Sequence, residues 1–475
     1  MTANYRIERP AGLRFILALL AIALLPACDP PLKFTPETSA TAQNSVADAA
    51  TADVDFDSAD PAALPASGDV VLIGGWSKTS KKPNVSTPTA EFFNPSTKKF
   101  SALGSMPISE GAGASALLTL GVPAPEILVA GGFSGSSQFT HKTVSNKVVG
   151  STIDQLELFD PATGTFAAVA ANLLAKRFGA TATALTSGKV LIAGGADGTG
   201  TPLDSAEVFD PATGITTATS NSMSSPRSFH TATLLNDGTV LLAGGGINST
   251  GGLTNSADIY DPATDSFTPT GAMSIPRAAH TAVVLTTGAP GDVLICGGAT
   301  SGAGLLFATG SAEIYDPVAK VFNSSGSHMN DLRALHSATV LSSGKVLIVG
   351  GFANFAAGVN GGTGKLSSLF GSTLKSAEIY DPVADSFTCV PGKGKGGFVC
   401  HASMKVARAA HTATLFPTGP LADQVLIAGG LGATAPNSTS SELNEAELYN
   451  PVTNAFTKVG KMVVARGLDA AVLLP

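Results

Sequence analysis

The chain has 475 residues, of which 44% are hydrophobic and only 13% are charged, and it contains 53 glycines and 29 prolines. This composition is typical of a turn-rich globular protein with ample apolar material for a core, and it favours an all-β fold. The formal net charge of -7 and the lack of any lysine and arginine cluster exclude a generally basic nucleic-acid-binding protein. We therefore expect no nucleic-acid partner.

The N-terminus has the pattern of an export signal. Three arginines precede the apolar run 15–25, which is too short to cross a bilayer as a helix. The run ends at Leu25-Pro26-Ala27-Cys28, and a cysteine at this place resembles the lipobox of bacterial lipoproteins. The resemblance implies a signal peptide over residues 1–27, lipidation of Cys28, and a protein anchored in a membrane of the cell envelope, either periplasmic or surface-exposed. Plain secretion is the alternative.

Residues 28–66 are rich in Ala, Ser, Thr, Asp and Pro and show no sustained apolar period. Such a segment cannot bury enough apolar surface to offset the conformational entropy that folding removes. We predict that it is a disordered, acidic linker between the anchor and a folded domain over residues 67–475.

The rest of the chain repeats three motifs in a fixed order, seven times. The first is an arginine followed by a run of small and β-branched residues, as in RSFHTATLL at Arg227. The second is an apolar run ending in Gly-Gly, as in VLLAGG at 240–245, and the third is a segment such as ADIYDP at 257–262. One copy of the first motif has Glu110 in the arginine position. An internal repeat of this length must be recognised before any single motif is interpreted.

Each unit predicts four short strands. Turn sequences such as Asp237-Gly238 separate the first strand from the second, and Asp-Pro-Ala-Thr-Gly separates the third from the fourth. Four strands per unit are typical of a β-propeller, so we predict an all-β, seven-bladed propeller of four-stranded blades. The chain enters on a second strand, 70–73, and ends on a first strand, 468–474. The C-terminal strand is therefore expected to complete the N-terminal blade and close the ring.

These motifs resemble those of the kelch-repeat family, whose blades carry Gly-Gly at the end of the second strand, an aromatic residue in the third and usually a tryptophan in the fourth. The resemblance covers residues 67–475 and implies kelch-type blades. Here phenylalanine or isoleucine stands in the fourth strand, and the single tryptophan, Trp76, lies elsewhere.

Six arginines share the position at the entry to the innermost strand: Arg177, Arg227, Arg277, Arg333, Arg408 and Arg466. In kelch substrate adaptors, arginines at the matching place contact acidic peptide ligands, which implies a ligand-binding ring at one mouth of the channel. The alternative is structural, because every unit also repeats an acid in its third strand, and a repeated base with a repeated acid suggests ion pairs between blades. We favour the structural interpretation. Glu110 interrupts the ring of arginines.

A second repeated position holds four histidines and an aspartate: His230, His280, His336, His411 and Asp469. Imidazoles and a carboxylate around one axis could ligate zinc or copper. A histidine at this place is also a common feature of kelch repeats that hold no metal. We predict no metal and no cofactor.

Two function classes remain open. Galactose oxidase also resembles a seven-bladed kelch propeller and uses tyrosine and histidine ligands to copper, but four of the five tyrosines here fill the repeated third-strand position. No Gly-x-Ser-x-Gly elbow is present either. The sequence therefore favours a non-enzymatic, extracytoplasmic binding module for an envelope or extracellular protein or glycan. The alternative is a carbohydrate-active or galactose-oxidase-like copper enzyme.

Cysteines and insertions add further expectations. Cys389 and Cys400 flank a Lys/Gly-rich insertion, and in an exported protein we expect them to form a disulfide. Cys296, directly before a Gly-Gly, is expected to be a buried free thiol. Long insertions at 133–153 and 352–375 lie between second and third strands, and long loops on a rigid scaffold are where binding specificity usually resides.

Overall fold

The computed structural model describes residues 64–77, 85–139, 146–248, 252–302, 305–353, 356–358, 373–392, 400, 403–432 and 441–475. All regular secondary structure in these ranges is β-strand. No helix long and apolar enough to cross a membrane occurs among them. The predicted signal peptide, Cys28 and nearly all of the predicted linker lie outside the described residues.

Seven antiparallel four-stranded sheets are arranged as blades in a ring, which confirms the predicted seven-bladed β-propeller. The first strands of neighbouring blades contact one another around the ring, so these strands are innermost. We number the blades along the chain and the strands of each blade from the axis outward.

Blade 1 contains both ends of the folded chain. Its strands, from the axis outward, are Ala470–Leu473, Val70–Ile73, Val85–Asn94 and Lys99–Glu110. The C-terminal strand pairs antiparallel with the first strand of the chain, with Val71 opposite Val472. The ring is therefore closed by strand pairing between the two ends of the chain, as predicted.

Blades 2 to 7 repeat one pattern. Their strands are Ala114–Leu118, Glu126–Ala130, Leu156–Asp160 and Thr165–Ala168 in blade 2; Thr181–Ala184, Val190–Ala193, Ala206–Asp210 and Ile215–Ala218 in blade 3; Thr231–Leu234, Val240–Ala243, Ala257–Asp261 and Ser266–Pro269 in blade 4; Thr281–Val284, Val293–Cys296, Ala312–Asp316 and Val321–Ser324 in blade 5; Ser337–Val340, Val346–Val349, Ala377–Asp381 and Ser386–Cys389 in blade 6; and Thr412–Leu415, Val425–Ala428, Ala446–Asn450 and Ala455–Lys458 in blade 7.

The hydrophobic core is divided into layers between neighbouring blades. The layer between blades 3 and 4, for example, packs Leu191 and Ala193 against Val240, Leu242 and Tyr260. Continuous apolar second strands are explained by this arrangement, because a blade inside the ring is covered on both faces. Within each blade, the third-strand aromatic lies against the fourth-strand phenylalanine where there is one, at a ring-centroid distance of 5.0 Å for Tyr260 and Phe267.

Extra strands are built on one face of the ring, the face at which the second strands end. The connection in blade 2 forms the hairpin Phe133–Phe139 and Asn146–Thr152, which pairs with blade 1 through Val85 and Ser136. Strands Ala299–Gly302 and Leu305–Ala308 of blade 5 form a three-stranded sheet with Ala356–Gly358 of blade 6. In blade 1, the two-residue strand Trp76–Ser77 follows the Gly-Gly pair. In blade 7, the strand Leu431–Gly432 follows the Gly-Gly pair and pairs with Ser441–Glu442. We call this the decorated face.

Candidate functional site

The Gly-Gly pairs serve the backbone at the point where one blade meets the next. Gly194 and Gly195 have φ angles of +61° and +87°, values that favour glycine. A Cβ atom on Gly194 would lie 2.4 Å from the carbonyl oxygen of Arg227 in the next blade. The amide of Gly195 donates to that same oxygen at 2.9 Å. Glycine is therefore needed for close approach of two backbones, and the apolar-run-plus-glycine motif is no phosphate site.

The repeated arginines are enclosed in the blades, with side chains that are 0–1% exposed. Arg277 is representative: its Nη1 donates to the carbonyl oxygens of Gly297 and Ser311 at 2.9 and 3.1 Å, and its Nη2 pairs with Glu313 at 2.7 Å. The same pairing recurs in Arg177–Glu207, Arg227–Asp258, Arg333–Glu378, Arg408–Glu447 and Arg466–Glu91.

These positions correct the expected location of the ion pairs. Each ion pair lies within one blade and not between blades, because the arginine enters ahead of the first strand and reaches over the second and third strands of its own sheet. Its backbone makes the link between blades instead, as in the bond from the Gly245 amide to the Arg277 carbonyl oxygen at 2.8 Å. Enclosed and paired in this way, the guanidinium groups fit the structural alternative and do not offer a ligand an open, positively charged mouth.

The four histidines also join neighbouring blades. Their Nε2 atoms lie 2.9 to 3.1 Å from hydroxyl groups on the first strand of the preceding blade, in the pairs His230–Thr181, His280–Thr231, His336–Thr281 and His411–Ser337. Burial, assisted by the neighbouring arginines, lowers the pKa of His230 and of His336 to about 3. The imidazoles are therefore neutral near pH 7.

No shared metal centre is formed by these histidines in the described part of the chain. The only described group of three potential ligands within 4.8 Å of one another is Asp331, Glu378 and Cys400. Cys400 is bonded to Cys389 there, and Arg333 pairs with both carboxylates. The group therefore belongs to the structural ion pair of blade 6.

The tyrosines lie away from the histidines. Of the four described tyrosine hydroxyl groups, three bond a side chain in the turn between the third and fourth strands, on the face opposite the decorated one, as in Tyr260 to Asp265 at 2.8 Å and Tyr449 to Asn454 at 2.8 Å. The fourth, Tyr315, bonds Thr270 of the preceding blade at 2.8 Å. Tyrosine and histidine side chains in this arrangement cannot share one copper ion.

An axial collar surrounds the channel on the decorated face. Its members stand two residues after each arginine position: Ala112, Gly179, Phe229, Ala279, Leu335, Ala410 and Leu468. All seven have φ between +52° and +61°, and six successive amides donate to the carbonyl of the collar residue in the preceding blade, as in Phe229 to Gly179 at 3.0 Å. Phe229, Leu335 and Leu468 make the collar apolar. The residue types of the collar do not predict it, although its members share a fixed two-residue spacing from the arginine position.

Blade 2 departs from the pattern. Glu110 fills the arginine position, and the third-strand acid of the same blade is Glu157, so two buried carboxyl groups stand where the other blades hold a base and an acid. Burial raises the pKa of Glu157 to about 7, and burial together with Glu157 raises the pKa of Glu110 well above its usual range. The collar bond is also missing at this place, since no described bond joins Ala112 to Leu468.

The three described cysteines lie as predicted. Cys389 and Cys400 form a disulfide with Cα atoms 5.3 Å apart. Cys296 is a buried free thiol whose pKa is raised by burial to about 11.

Comparison with known proteins supports the fold and gives no family. Neither a protein-family model nor a curated protein sequence matches the chain. Among solved structures, it is similar to a copper-containing fungal alcohol oxidase of the AA5 family, with a TM-score of 0.53 and 17% identity over 80% of this chain and 71% of the oxidase. It is also similar to YjhT, with a TM-score of 0.45 and 13% identity over 64% of this chain and 97% of that protein. The similarity to the oxidase shows a shared propeller fold and nothing about chemistry.

The neutral histidines predict a loss of stability in mild acid. A group with a lowered folded-state pKa contributes stability above its unfolded pKa of about 6.5, and this stability is lost as the pH falls towards the folded value. Between pH 7 and pH 5 we expect His230 to contribute roughly 1–2 kcal/mol to the fall in unfolding free energy. Blade 3 has Ala180 at the position of His230, so the variant His230→Ala gives blade 4 a residue that the repeat already accepts. In urea titrations, the unfolding free energy of this variant should fall between pH 7 and pH 5 by roughly 1–2 kcal/mol less than that of the wild type.

The matched control is His328→Ala, at an exposed position, which should keep the pH profile of the wild type. Identical profiles for His230→Ala and wild type would contradict the assignment of His230 as a buried neutral group.

Proposed function

We propose that the protein is a non-enzymatic, extracytoplasmic binding module that uses the decorated face of its propeller to bind a protein or glycan of the cell envelope or its surroundings. The observation that carries this proposal is the contrast between the two faces. The blades are nearly identical in their strands, and the long connections that differ between them are on one face, around the apolar collar. Variation on a rigid scaffold is typical of a binding surface.

Exposed apolar side chains on the decorated face favour a protein partner. Phe307, on the three-stranded sheet of blades 5 and 6, is 39% exposed, and Leu332, which precedes the arginine of blade 6, is 45% exposed. A bridge between Thr309 and Arg333 holds these two segments together. Apolar residues grouped on a rigid surface are the usual anchors of protein recognition, whereas glycan stacking would favour tryptophan or tyrosine.

The enzyme alternative, a carbohydrate-active or galactose-oxidase-like copper enzyme, has less support. In the described residues, the four repeated histidines bond hydroxyl groups, and the hydroxyl groups of Tyr260 and Tyr449 bond on the opposite face. These histidines and tyrosines, the described side chains that could ligate copper, therefore have structural partners.

Export and anchoring belong to the same proposal. The signal over residues 1–27 and the lipobox-like cysteine support a lipid-anchored protein of the bacterial cell envelope. The disulfide between Cys389 and Cys400 supports an oxidising compartment outside the cytoplasm.

Substitutions on the two faces should separate the binding surface from the scaffold. We expect Phe307→Asp and Leu332→Asp to reduce recovery of the partner at least tenfold when detergent-solubilised full-length protein captures proteins from envelope extract, as measured by quantitative mass spectrometry. A charge buried in an interface without a partner costs several kcal/mol, which accounts for this loss. The control is Val383→Asp, because Val383 is 77% exposed on the opposite face.

Equal recovery by the Phe307, Leu332 and Val383 variants would show that the decorated face does not bind. Stoichiometric copper in the purified protein together with alcohol oxidation would favour the enzyme instead.

Anchoring is tested at Cys28. We expect the wild type to incorporate radiolabelled palmitate and to sediment with membranes, because acyl chains partition into the bilayer. Cys28→Ser should lose the label and move to the soluble fraction, while Cys296→Ser should behave as wild type. Membrane association of Cys28→Ser without any label would argue against the lipid anchor.

A further inference from the structure

Six blades contain the same guanidinium cradle, a set of oxygen atoms filled by one arginine. In blade 1, Arg466 donates to the carbonyl oxygens of Gly74 and Thr89 at 3.0 and 2.9 Å and to the Thr89 hydroxyl at 3.1 Å, and it pairs with Glu91 at 2.8 Å. The cradle therefore consists of the first glycine's carbonyl, the carbonyl two residues before the third-strand acid, and that acid.

Blade 2 keeps the oxygen atoms of the cradle and lacks its cation. The corresponding groups are the carbonyls of Gly131 and Gln155 and the carboxylate of Glu157, while the arginine position holds Glu110. The Gln155 carbonyl accepts the amide of Gly131 at 3.0 Å, so the local backbone path is the one found in the other blades. In the described chain, no arginine or lysine pairs with either glutamate.

The free oxygen of Glu157 faces the position that a guanidinium would take. Glu207 of blade 3 accepts the amide of Leu174 with one oxygen and pairs with Arg177 through the other. Glu157 likewise accepts the amide of Ile108 at 3.1 Å with Oε1. Its Oε2 is buried without a hydrogen-bond partner, and by comparison with Glu207 it is the oxygen that would meet the cation.

Glu110 brings a second carboxylate next to the cradle, between the Gly-Gly pairs of blades 1 and 2. Its side chain is 5% exposed, and its Oε2 is also buried without a partner. A Cβ atom on Gly113 or on Gly132 would lie 1.6 or 2.4 Å from this oxygen, so the carboxylate lies against both glycines. The Gly131 carbonyl belongs to the peptide group that joins Gly131 to Gly132. The second carboxylate therefore lies beside the cradle.

We propose that blade 2 binds a hard divalent cation, Ca²⁺, in place of the missing guanidinium. Its ligands are the carboxylates of Glu110 and Glu157 and the carbonyl oxygens of Gly131 and Gln155. Two buried carboxylates without a counter-charge are strongly unfavourable, and a cation removes that cost. An all-oxygen set of carboxylates and backbone carbonyls suits Ca²⁺, which accepts flexible geometry, better than Mg²⁺, which demands an octahedron and retains its water.

The single tryptophan provides a direct test. A Cβ atom on Gly111 would lie 2.3 Å from Nε1 of Trp76, so the indole lies beside the residue that follows Glu110. Terbium replaces calcium in oxygen sites and luminesces when a nearby tryptophan is excited. We expect EDTA-treated full-length protein to bind about one Tb³⁺ with Trp-sensitised emission and to release it to CaCl₂. Equilibrium dialysis with radioactive calcium should give the same stoichiometry.

Matched variants locate the ion. Glu157→Gln and Glu110→Gln should reduce the sensitised emission at least tenfold, whereas Glu126→Gln, at the start of the second strand of the same blade, should keep it. Glu110→Arg restores the residue found in the other six blades. This variant should bind no calcium, and its melting temperature should be the same with and without EDTA. EDTA should lower the melting temperature of the wild type by about 2 °C or more.

Three results would overturn the proposal. One is a folded wild type that shows neither sensitised emission nor bound calcium. Another is emission that survives both glutamine substitutions, which would place the ion elsewhere. The third is a wild-type stability that changes with pH but not with calcium, since the two carboxyl groups would then share a proton.

Discussion

The propeller depends on one repeated buried contact, made by the arginine that precedes the first strand in six of the seven blades. Its guanidinium holds together the second and third strands of its blade, through two backbone carbonyls and a carboxylate, while its own carbonyl binds the preceding blade. A buried ion pair is not stabilising by itself, because both charges lose their hydration. Here the pair also satisfies carbonyls at the ends of strands, so it fixes where each blade begins and how closely it approaches its neighbour.

Three departures from the repeated contacts lie where blade 2 meets blade 1. Blade 2 lacks the arginine, the collar bond to blade 1 and the histidine, whose position is held by Gly113. Asp469 holds the histidine position of blade 1, and burial raises its pKa to about 7. Other contacts reinforce the seam: the blade 2 hairpin pairs with blade 1, and the hydroxyl of Ser86 accepts the amide of Gly135 at 3.0 Å. The proposed cation site lies beside this seam, under the decorated face.

The sequence predicted the architecture because the architecture is periodic. Seven copies of Gly-Gly and of the third-strand acid defined the blades, and the two terminal strands defined the closure. The partners of Arg277 and its equivalents were assigned to the wrong blade, because spacing along a chain does not tell over which sheet a side chain folds. The sequence did not predict the collar at Phe229 and Leu335, because its residue types vary and only its backbone conformation repeats. The long insertions showed where the blades differ, but the pairing of a blade 5 strand with a blade 6 strand joins segments that no sequence motif connects.

A double-mutant cycle on Arg277 and Glu313 tests the central claim most directly. Unfolding free energies would be measured in urea for wild type, Arg277→Leu, Glu313→Leu and the double variant. Each single substitution leaves an unpaired charge inside blade 5 and should cost about 3–5 kcal/mol. The double variant should cost less than the sum of the two by about 2 kcal/mol or more, because the residues act as a unit. Costs that add to within about 0.5 kcal/mol would contradict the claim that this buried contact organises the blades.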